Sequence, residues 1–365
     1  GVHKVCYYYK ETGACVVPVC FDLNILGAAS ADIVVETVAG DGTHNFLNAL
    51  PLGSKFRLNA LTTPPNGNIP DDSNVNTAFS PDGTKMYVSD EFNHCIRQVD
   101  FIANTVTTLA GNPGFSASID GTGTGAGFRN PAGITTDQAG IIYVADKGNH
   151  IIRRLDPATG VVITIAGVPG SISGGYVNDN DPLSAKFSQP SDVAIDVNGN
   201  IYVTDKNNHA IRKISTTGVV TTLAGSAEPS SIQGFVNGTG TAARFNYPCG
   251  IDFDLSGNLL VADRLNHVIR QVTPSGVVTT FAGDGTGSGT AAGAFTNGTT
   301  TTARFNQPID VAVDAVGKVY VADRNNHRIR LIDAGNVSTH AGDGTANYLD
   351  GTSVNARFNY PIGIA

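Results

Sequence analysis

Five short stretches of the chain carry the residue types that perform acid–base, metal and ligand chemistry. Each reads Asp-x-x-Asn-His-x-Ile-Arg, and successive copies lie about 58 residues apart. Imidazole and carboxylate groups in one cluster could bind a metal ion or transfer protons. The members of the five sets are Asp90, Asn93, His94, Arg97, Asp146, Asn149, His150, Arg153, Asp205, Asn208, His209, Arg212, Asp263, Asn266, His267, Arg270, Asp323, Asn326, His327 and Arg330.

A catalytic site is normally present once in a chain, whereas this set of four residues occurs five times. Asn at an irregular turn can bond to nearby backbone groups, and Asp and Arg can form a charge-assisted pair that the imidazole joins. We therefore interpret the five sets as a structural network around a repeated turn. The alternative is a ligand or metal site, which requires the imidazoles to converge on one ion or one cleft.

The motif belongs to a longer unit whose pattern is typical of β-strands. In residues 303–342 the runs IDVAVD, VYVAD, HRIRLID and VSTHAG are separated by turns. Short runs rich in Val, Ile and Thr between Gly, Asn and Asp indicate four consecutive antiparallel strands, called a to d. Apolar residues on both faces, as in IYVTD at 201–205, indicate sheets that are covered on both sides. A closed ring of such sheets is a β-propeller.

Two markers of the unit, the Ala-Gly that ends strand d and the Phe that opens strand a, each occur six times. The last unit supplies only a strand a, while the N-terminus supplies unmatched strands. We predict an all-β, six-bladed β-propeller of four-stranded antiparallel blades, with the ring closed by N- and C-terminal strands. Residues 1–30 form a Cys-containing segment that completes blade six, and 31–365 form the propeller. The alternative is that residues after 365 complete that blade.

The repeated stretch resembles the NHL repeat. The resemblance rests on V-A-D-x-x-N-H-x-I-R, on A-G-D-G-T openings and on A-R-F-x-x-P segments, and it covers roughly residues 31–365. The residue after the His is Cys, Ile, Ala, Val or Arg, where the family name has Leu. The resemblance implies a propeller. It also permits two activities, because some NHL-like propellers are zinc-dependent lyases and some NHL domains bind RNA.

Charge and composition argue against RNA and membrane partners. The 365 residues carry a net charge of −8, and no block of Lys and Arg stands out. RNA binding needs a basic surface, so we expect no nucleic-acid partner. No run of 18 apolar residues is present, so we expect no direct membrane insertion.

The channel-facing strand a lacks the histidines that a zinc lyase needs. We therefore predict that the chain is not an enzyme and has no cofactor. Strand a does place Asp192 and Asp310 where other copies have Gly, and Asp179 and Asp181 lie together in a loop. These carboxylates are weak candidates for binding Ca²⁺, and the alternative is that they cap backbone amides.

Cysteines and glycosylation triplets favour an extracellular or cell-surface location. Cys6, Cys15 and Cys20 cluster near the N-terminus, and we expect a disulfide among them. The alternative is three reduced thiols. Three Asn-x-Ser/Thr triplets are candidate glycosylation sites. Their acceptor residues are Asn237, Asn297 and Asn336.

The d–a loops are long and rich in Gly and Thr, and they share one face with the b–c turns. A Pro/Asn-rich insertion at 60–76 lies in the first unit. Loops on a rigid scaffold often bind partners; the alternative is that these loops only connect the blades. One loop position recurs, and we interpret it as turn-forming. Its residues are Asp120, Asp179, Asn237, Asn297 and Asp350.

These observations predict a non-catalytic extracellular scaffold that binds proteins or glycans through its loop-rich face, as part of a larger cell-surface or secreted protein. The expected partners are other protein domains or further copies of the chain. One alternative is a structural subunit of an extracellular appendage or filament. Another is a metal-dependent lyase or hydrolase that uses the central channel.

Overall fold

The computed structural model describes residues 76–171, 173–226, 232–285, 293–347 and 349–365, and the backbone of three N-terminal strands. Those strands are Val2–Lys10, Val16–Asn24 and Val34–Ala39. In the described residues every helix is a single 3-10 turn, and the remaining regular structure is antiparallel β-sheet.

Five repeat blades, each with strands a to d in sheet order, make up most of the structure. Strand a lies at the ring axis. The a strands are Thr77–Phe79, Pro131–Thr136, Pro190–Ile195, Pro248–Phe253 and Pro308–Val313. The b strands are Lys85–Asp90, Ile142–Asp146, Ile201–Asp205, Leu259–Asp263 and Val319–Asp323. The c strands are Cys95–Asp100, Ile151–Leu155, Ala210–Ile214, Val268–Val272 and Arg328–Asp333. The d strands are Thr105–Ala110, Val161–Ala166, Val220–Gly225, Val277–Ala282 and Asn336–Ala341.

Strands b and c are joined by a 3-10 turn that starts after the Asp of the motif and ends at its His. Each of these histidines has a positive φ of 53° to 58°, which is unusual for a residue with a side chain. The chain can therefore reverse within four residues. The turns are Glu91–Asn93, Lys147–Asn149, Lys206–Asn208, Arg264–Asn266 and Arg324–Asn326.

Each d–a connection crosses to the next blade, and in three blades it adds a short fifth strand outside strand d. In blade two, Gly121–Thr122 pairs with Val161 and Val162. A short fifth strand covers the unpaired edge that strand d would otherwise expose. These strands are Gly121–Thr122, Gly238–Thr239, Gly298–Thr299 and, in the sheet of the chain ends, Gly351–Thr352. Single 3-10 turns follow three of them, at Gly123–Gly125, Gly240–Ala242 and Ser353–Asn355.

The remaining sheet combines strands from both ends of the chain. The C-terminal strand Gly363–Ile364 pairs with Val2–Lys10, with Ile364 opposite Val5, and Gly351–Thr352 pairs with Val34–Ala39 at the other edge. Ile364 also lies in a hydrophobic cluster that includes residues of blades one and five. The expected pairing of the C-terminal strand with an N-terminal strand is therefore present.

The prediction of six four-stranded blades is wrong. Five blades are built on the repeat, and the sheets have four or five strands. The additional strands lie in the d–a connections. Their two-residue Gly-Thr pairing segments have no apolar alternation, so the sequence pattern identified them only as loop.

Two faces of the ring follow from this topology. The d–a connections and the b–c turns form the loop-rich face, and the short a–b and c–d turns form the opposite face, called the turn face. Apolar clusters lie between neighbouring blades, and each unit contributes one large aromatic side chain to them. The Phe that opens the unit is no more than 1% exposed in every described copy, so it belongs to the core. These residues are Phe128, Phe187, Phe245, Phe305 and Phe358.

Phe245→Ala should lower the free energy of unfolding by about 3–5 kcal/mol, because it leaves a cavity between packed blades. Phe115→Ala is the matched control: that ring is 58% exposed, and the expected loss is within about 0.5 kcal/mol. Urea unfolding followed by circular dichroism measures both. Equal losses for the two variants would contradict the assignment of the recurrent Phe to the core.

Candidate functional site

The Asp, Asn and Arg of each motif form one buried network inside their own blade. In blade three, Asp205 Oδ2 accepts hydrogen bonds from Asn208 Nδ2 at 2.8 Å and from Arg212 Nη1 at 2.7 Å. Asp205 Oδ1 accepts the backbone N–H of Ser188 at 2.7 Å. The Asp and Arg side chains are fully buried. The carboxylate therefore joins strand b, strand c and the start of the blade.

In blades two to five the guanidinium also holds the incoming d–a connection. Arg212 donates to the carbonyl oxygens of Lys186 and Val177 and to Oδ1 of Asn178, at 2.7–3.1 Å. Its Cζ lies 4.6 Å from the ring centre of Tyr176 and 5.2 Å from that of Phe187. A guanidinium can bond in its plane and stack on both faces, which a lysine ammonium cannot. This geometry explains why the motif contains Arg.

The same loop acceptor recurs in other blades, and one predicted member is replaced. Arg153 bonds to Asp120, Arg270 to Asn237 and Arg330 to Asn297. In blade three the equivalent residue is Asn178, and not Asp179 as the spacing indicated. Asp179 Oδ1 instead accepts the N–H of Asp181, whose own Oδ1 accepts the N–H of Leu183. These two carboxylates cap a local turn.

The histidines link neighbouring blades. In each copy Nδ1 accepts a backbone N–H from the start of the following unit, at 2.9–3.2 Å, so the neutral ring carries its proton on Nε2. The donors are Asn130 to His94, Gln189 to His150, Tyr247 to His209, Gln307 to His267 and Tyr360 to His327. Each donor residue also has a positive φ, of 50° to 56°.

Burial lowers the pKa of His209 and of His327 to about 4, and it also lowers the pKa of His150 and His267. Burial raises the pKa of Asp146 to about 6 against the opposing charge of Arg153. Among the described residues no three His, Cys, Asp or Glu side chains are grouped so that they could hold a metal ion. The motif histidines do not converge on a shared site.

Sequence analysis missed a ring of charged residues, each placed directly after the Asp of the motif. All are at most 5% exposed. Lys147 Nζ contacts Glu91 Oε1 at 2.5 Å, Arg264 bonds to Gln307 Oε1, and Arg324 stacks on Tyr360. Four of them lie near the Cys249 thiol and oppose the rise that burial causes in its pKa. The residues are Glu91, Lys147, Lys206, Arg264 and Arg324. The signal available in the sequence was a charged residue directly after the motif Asp in every copy.

A cavity of about 430 Å³ lies on the ring axis. Its wall is formed by the a strands of the five blades and by Ile364, from the level of Asp192 to the strand ends. In blades three to five the residue before this level is buried and lies outside the lining; these residues are Ser191, Cys249 and Ile309. Ser191 Oγ lies 3.2–3.3 Å from the carbonyl oxygens of Pro248 and Cys249. The lining therefore extends toward the turn face and ends below the loop-rich face.

Three polar side chains alternate with glycines around this axis. Because glycine has no side chain, it leaves space for the carboxylate of the neighbouring blade. A Cβ atom on Gly133 would lie 2.1 Å from Asp192 Oδ1, and one on Gly250 would lie 2.1 Å from Asp310 Oδ1. Asn76 donates to Asp192 Oδ1 at 3.4 Å. Asn76 was expected to belong to the loop insertion and instead occupies the channel position of blade one. In chain order the positions are Asn76, Gly133, Asp192, Gly250, Asp310 and Gly363.

The channel carboxylates cap the backbone of the next a strand. Asp192 Oδ2 accepts the N–H of Ile251 at 3.0 Å, and Asp310 Oδ2 accepts that of Ile364 at 2.8 Å. Asp252, which sequence analysis did not single out, accepts the N–H of Val313 at 2.8 Å. The two Ca²⁺ candidates thus make the contacts of the capping alternative.

Burial is the largest cause of raised pKa values in the channel. It raises the pKa of Asp192 to about 7 and that of Asp252 to about 6. Burial also raises the pKa of Asp310, and the nearby charge of Asp192 adds to that rise. A cation close to these groups would favour their ionised form.

The other sequence candidates lie at the surface or outside the described residues. Asn237, Asn297 and Asn336 are exposed. The side chains of Cys6 and Cys20 and all of Cys15 lie outside the described residues, as do residues 60–75 of the insertion. The two described cysteines, Cys95 and Cys249, are buried free thiols.

Comparison with known proteins identifies the repeats. The NHL repeat model matches residues 187–214 and 305–330, and the model of the SMP-30/Gluconolactonase/LRE-like region matches 72–174. NHL repeat-containing protein 2 of Bos taurus is 32% identical over 285 residues, which cover 68% of this chain and 37% of that protein. Teneurin-4 of Mus musculus is 30% identical over 230 residues, covering 58% of this chain and 8% of that protein. The chain spans well under half the length of these relatives.

Solved structures share the fold at low identity. A protein of unknown function from Bacteroides thetaiotaomicron superposes with a TM-score of 0.61 at 18% identity, covering 98% of this chain and 84% of that one. A chain of a nidogen/laminin complex gives a TM-score of 0.55 at 15% identity, covering 100% of this chain and 97% of that one.

In the described part of this chain no helix has the length and apolar character to cross a membrane. The chain carries NHL repeats, as the motif predicted, and they build a β-propeller.

Arg212→Met should lower the free energy of unfolding by about 3–5 kcal/mol, because it leaves the buried Asp205 carboxylate without its cation. Lys213→Met is the matched control one residue along the same strand. Its ammonium lies 5.4 Å from the Tyr202 ring centre at a partly exposed site, so the expected loss is below about 1 kcal/mol. Denaturant titration measures both, and equal losses would contradict the network's structural role.

Acid should weaken the links between blades. An unfolded His takes up a proton near its ordinary pKa of 6.5, whereas folded His209 does so only near pH 4. The histidine contribution to stability is therefore complete above pH 6.5 and is lost as the pH falls through about 4. Urea midpoints at pH 7, 5.5 and 4 measure this loss.

The buried aspartates act with the opposite sign, because their raised pKa values favour the folded state as the pH falls. The comparison with His209→Asn isolates the histidine part, since Asn accepts positive φ and does not titrate. The variant should lose less stability than the parent between pH 6.5 and 4. Identical pH profiles for the two proteins would show that the pKa of His209 is the same in the folded and unfolded states, which would contradict the prediction.

Proposed function

We propose that this NHL-repeat propeller is a non-catalytic scaffold that binds other proteins, or glycans, through its loop-rich face. The observation that carries the proposal is the use of the repeated polar set. In blades two to five the Asp, Asn and Arg fasten a blade to its incoming connection, and in all five repeat blades the His binds the next unit. These groups are held in structural bonds, so recognition falls to the surface.

The loop-rich face presents apolar side chains on fixed backbone. Phe115 is 58% exposed, and the nearby Gly114 N–H bonds to the carbonyl of Asn93 in the b–c turn. Ile232 is 52% exposed, and its N–H bonds to Ser226 Oγ. An exposed side chain whose backbone is held by hydrogen bonds can bind a partner with little further loss of conformational entropy. This supports protein binding at the loop-rich face.

An extracellular or cell-surface location is part of the proposal. It is supported by the clustered N-terminal cysteines and by the exposure of all three triplet acceptors. Asn237 and Asn297 use Oδ1 to accept the bond from Arg270 and Arg330. A glycan would attach to the nitrogen of the same amide, so glycosylation is compatible with the network. A role as a subunit of an appendage or filament is the alternative within the same class.

Affinity purification with quantitative mass spectrometry tests the loop-rich face. With the double variant Phe115→Ser/Ile232→Ser, the amount of the proteins that co-purify with the parent chain should fall at least fivefold. The control Val161→Ser/Ile163→Ser changes side chains at the outer edge that are 38% and 40% exposed, and it should retain those proteins. Unchanged co-purification with the Phe115/Ile232 variant would contradict the proposal. Stoichiometric zinc that is lost together with an enzymatic activity would also contradict it.

A further inference from the structure

The mouth of the axial cavity on the turn face has an aliphatic rim. Val197 is 88% exposed, Leu255 67% and Val316 75%, and all three lie in a–b turns of consecutive blades. A Cβ on Gly317 would lie 3.2 Å from Leu255 Cδ1, so the turns of blades four and five are in contact. A second cavity of about 300 Å³ lies beside Val197, between the turns of blades two and three. Exposed aliphatic groups around a depression are typical of binding surfaces.

Negative charge surrounds this rim. The wall of the axial cavity carries Asp192, Asp252 and Asp310, and among its described lining residues there is no Lys, Arg or His. Each a–b turn adds an Asp, and three c–d turns do so as well, although one of these, Asp333, pairs with Lys318 at 3.4 Å. A cleft lined by one sign of charge focuses the electrostatic potential and selects a ligand of the opposite sign. The turn aspartates are Asp82, Asp137, Asp196, Asp254 and Asp314, and those of the c–d turns are Asp100, Asp156 and Asp333.

A buried hydroxyl in the cavity wall supplies an independent sign of a ligand. Thr77 lines the cavity, is 3% exposed, and has no hydrogen-bond partner for Oγ1. A buried polar atom without a partner is costly. An N–H donor bound at this part of the wall would supply the partner that the described residues do not.

We propose that the turn-face mouth binds a protein segment that presents a Lys or Arg side chain between aliphatic residues. The cationic group enters the axial cavity, where Asp252 is the carboxylate nearest the turn face and Asp192 and Asp310 lie deeper. The aliphatic neighbours lie on Val197, Leu255 and Val316. This surface is separate from the loop-rich face and does not depend on the function proposed there.

The charges in the cavity set the pH dependence of this binding. The titratable groups that face it are Asp192, Asp252 and Asp310, with Asn76 beside them. Since burial raises the pKa of Asp192 to about 7, a bound cation displaces protons from these groups. Affinity should therefore rise with pH between 5.5 and 8, and binding should release protons.

The probe is the peptide acetyl-Ser-Val-Lys-Leu-Ser-amide, titrated calorimetrically into the whole chain at low salt. Counterparts with norleucine or Glu in place of Lys test the cation. The Lys peptide should bind at least tenfold more tightly than both counterparts, and more tightly at pH 8 than at pH 5.5. Two buffers of different ionisation enthalpy measure the proton release. Failure of the Lys peptide to bind at millimolar concentration, or equal binding of the norleucine peptide, would overturn the proposal.

Variants locate the site. The affinity for the Lys peptide should fall at least tenfold in the triple variant Val197→Ser/Leu255→Ser/Val316→Ser. The control Val161→Ser/Ile163→Ser/Val277→Ser, at the outer edge of the d strands, should stay within twofold of the parent. The substitution Asp310→Asn would disturb the hydrogen bond from the Ile364 N–H, so it is not used. The pH and buffer measurements on the parent protein test the role of the carboxylates instead. Equal weakening by both triple variants would show nonspecific apolar binding and contradict the site.

Discussion

Each blade depends on one buried guanidinium. In the blades where the full set of bonds is described, the motif Arg is fully buried, pairs with the motif Asp, and donates to carbonyl oxygens of the connection that enters the blade. A buried ion pair contributes little net stability compared with apolar packing, but the loss of one partner is costly. The ion pair therefore determines the conformation in which the incoming connection packs against its own blade. This role requires one Arg in every copy.

The joints between blades are also polar, and they lie at two levels of the ring. Near the loop-rich face, each motif His accepts a backbone N–H from the next unit. Along the axis, Asp192, Asp252 and Asp310 accept N–H groups of the following a strand. These groups therefore hold the blades together, and the two proposed binding surfaces, the loop-rich face and the acidic mouth of the turn face, lie at the two ends of the ring that they stabilise.

Strand positions could be predicted from the sequence because short β-branched runs alternate with Gly, Asn and Asp in every unit. The fifth strands could not, since Gly121–Thr122 pairs through backbone atoms alone and its side chains carry no pattern. Asp192 and Asp310 were identifiable because they replace Gly at one repeat position. Asn178 was missed because spacing favoured its neighbour, and the charged ring was missed because the residue after each motif Asp varies between Glu, Lys and Arg. The cavity depends on three-dimensional closure, which no local pattern records.

Nitrogen-15 NMR of the histidine rings across pH tests the central claim most directly, because it reports the tautomer and protonation state of each imidazole. The account predicts that His150, His209, His267 and His327 are neutral at pH 6.5, with an unprotonated, hydrogen-bonded Nδ1 and a proton on Nε2, because burial lowers the pKa of each ring. Titration of these rings near pH 6.5, or signals that shift together when a metal ion is added, would contradict it.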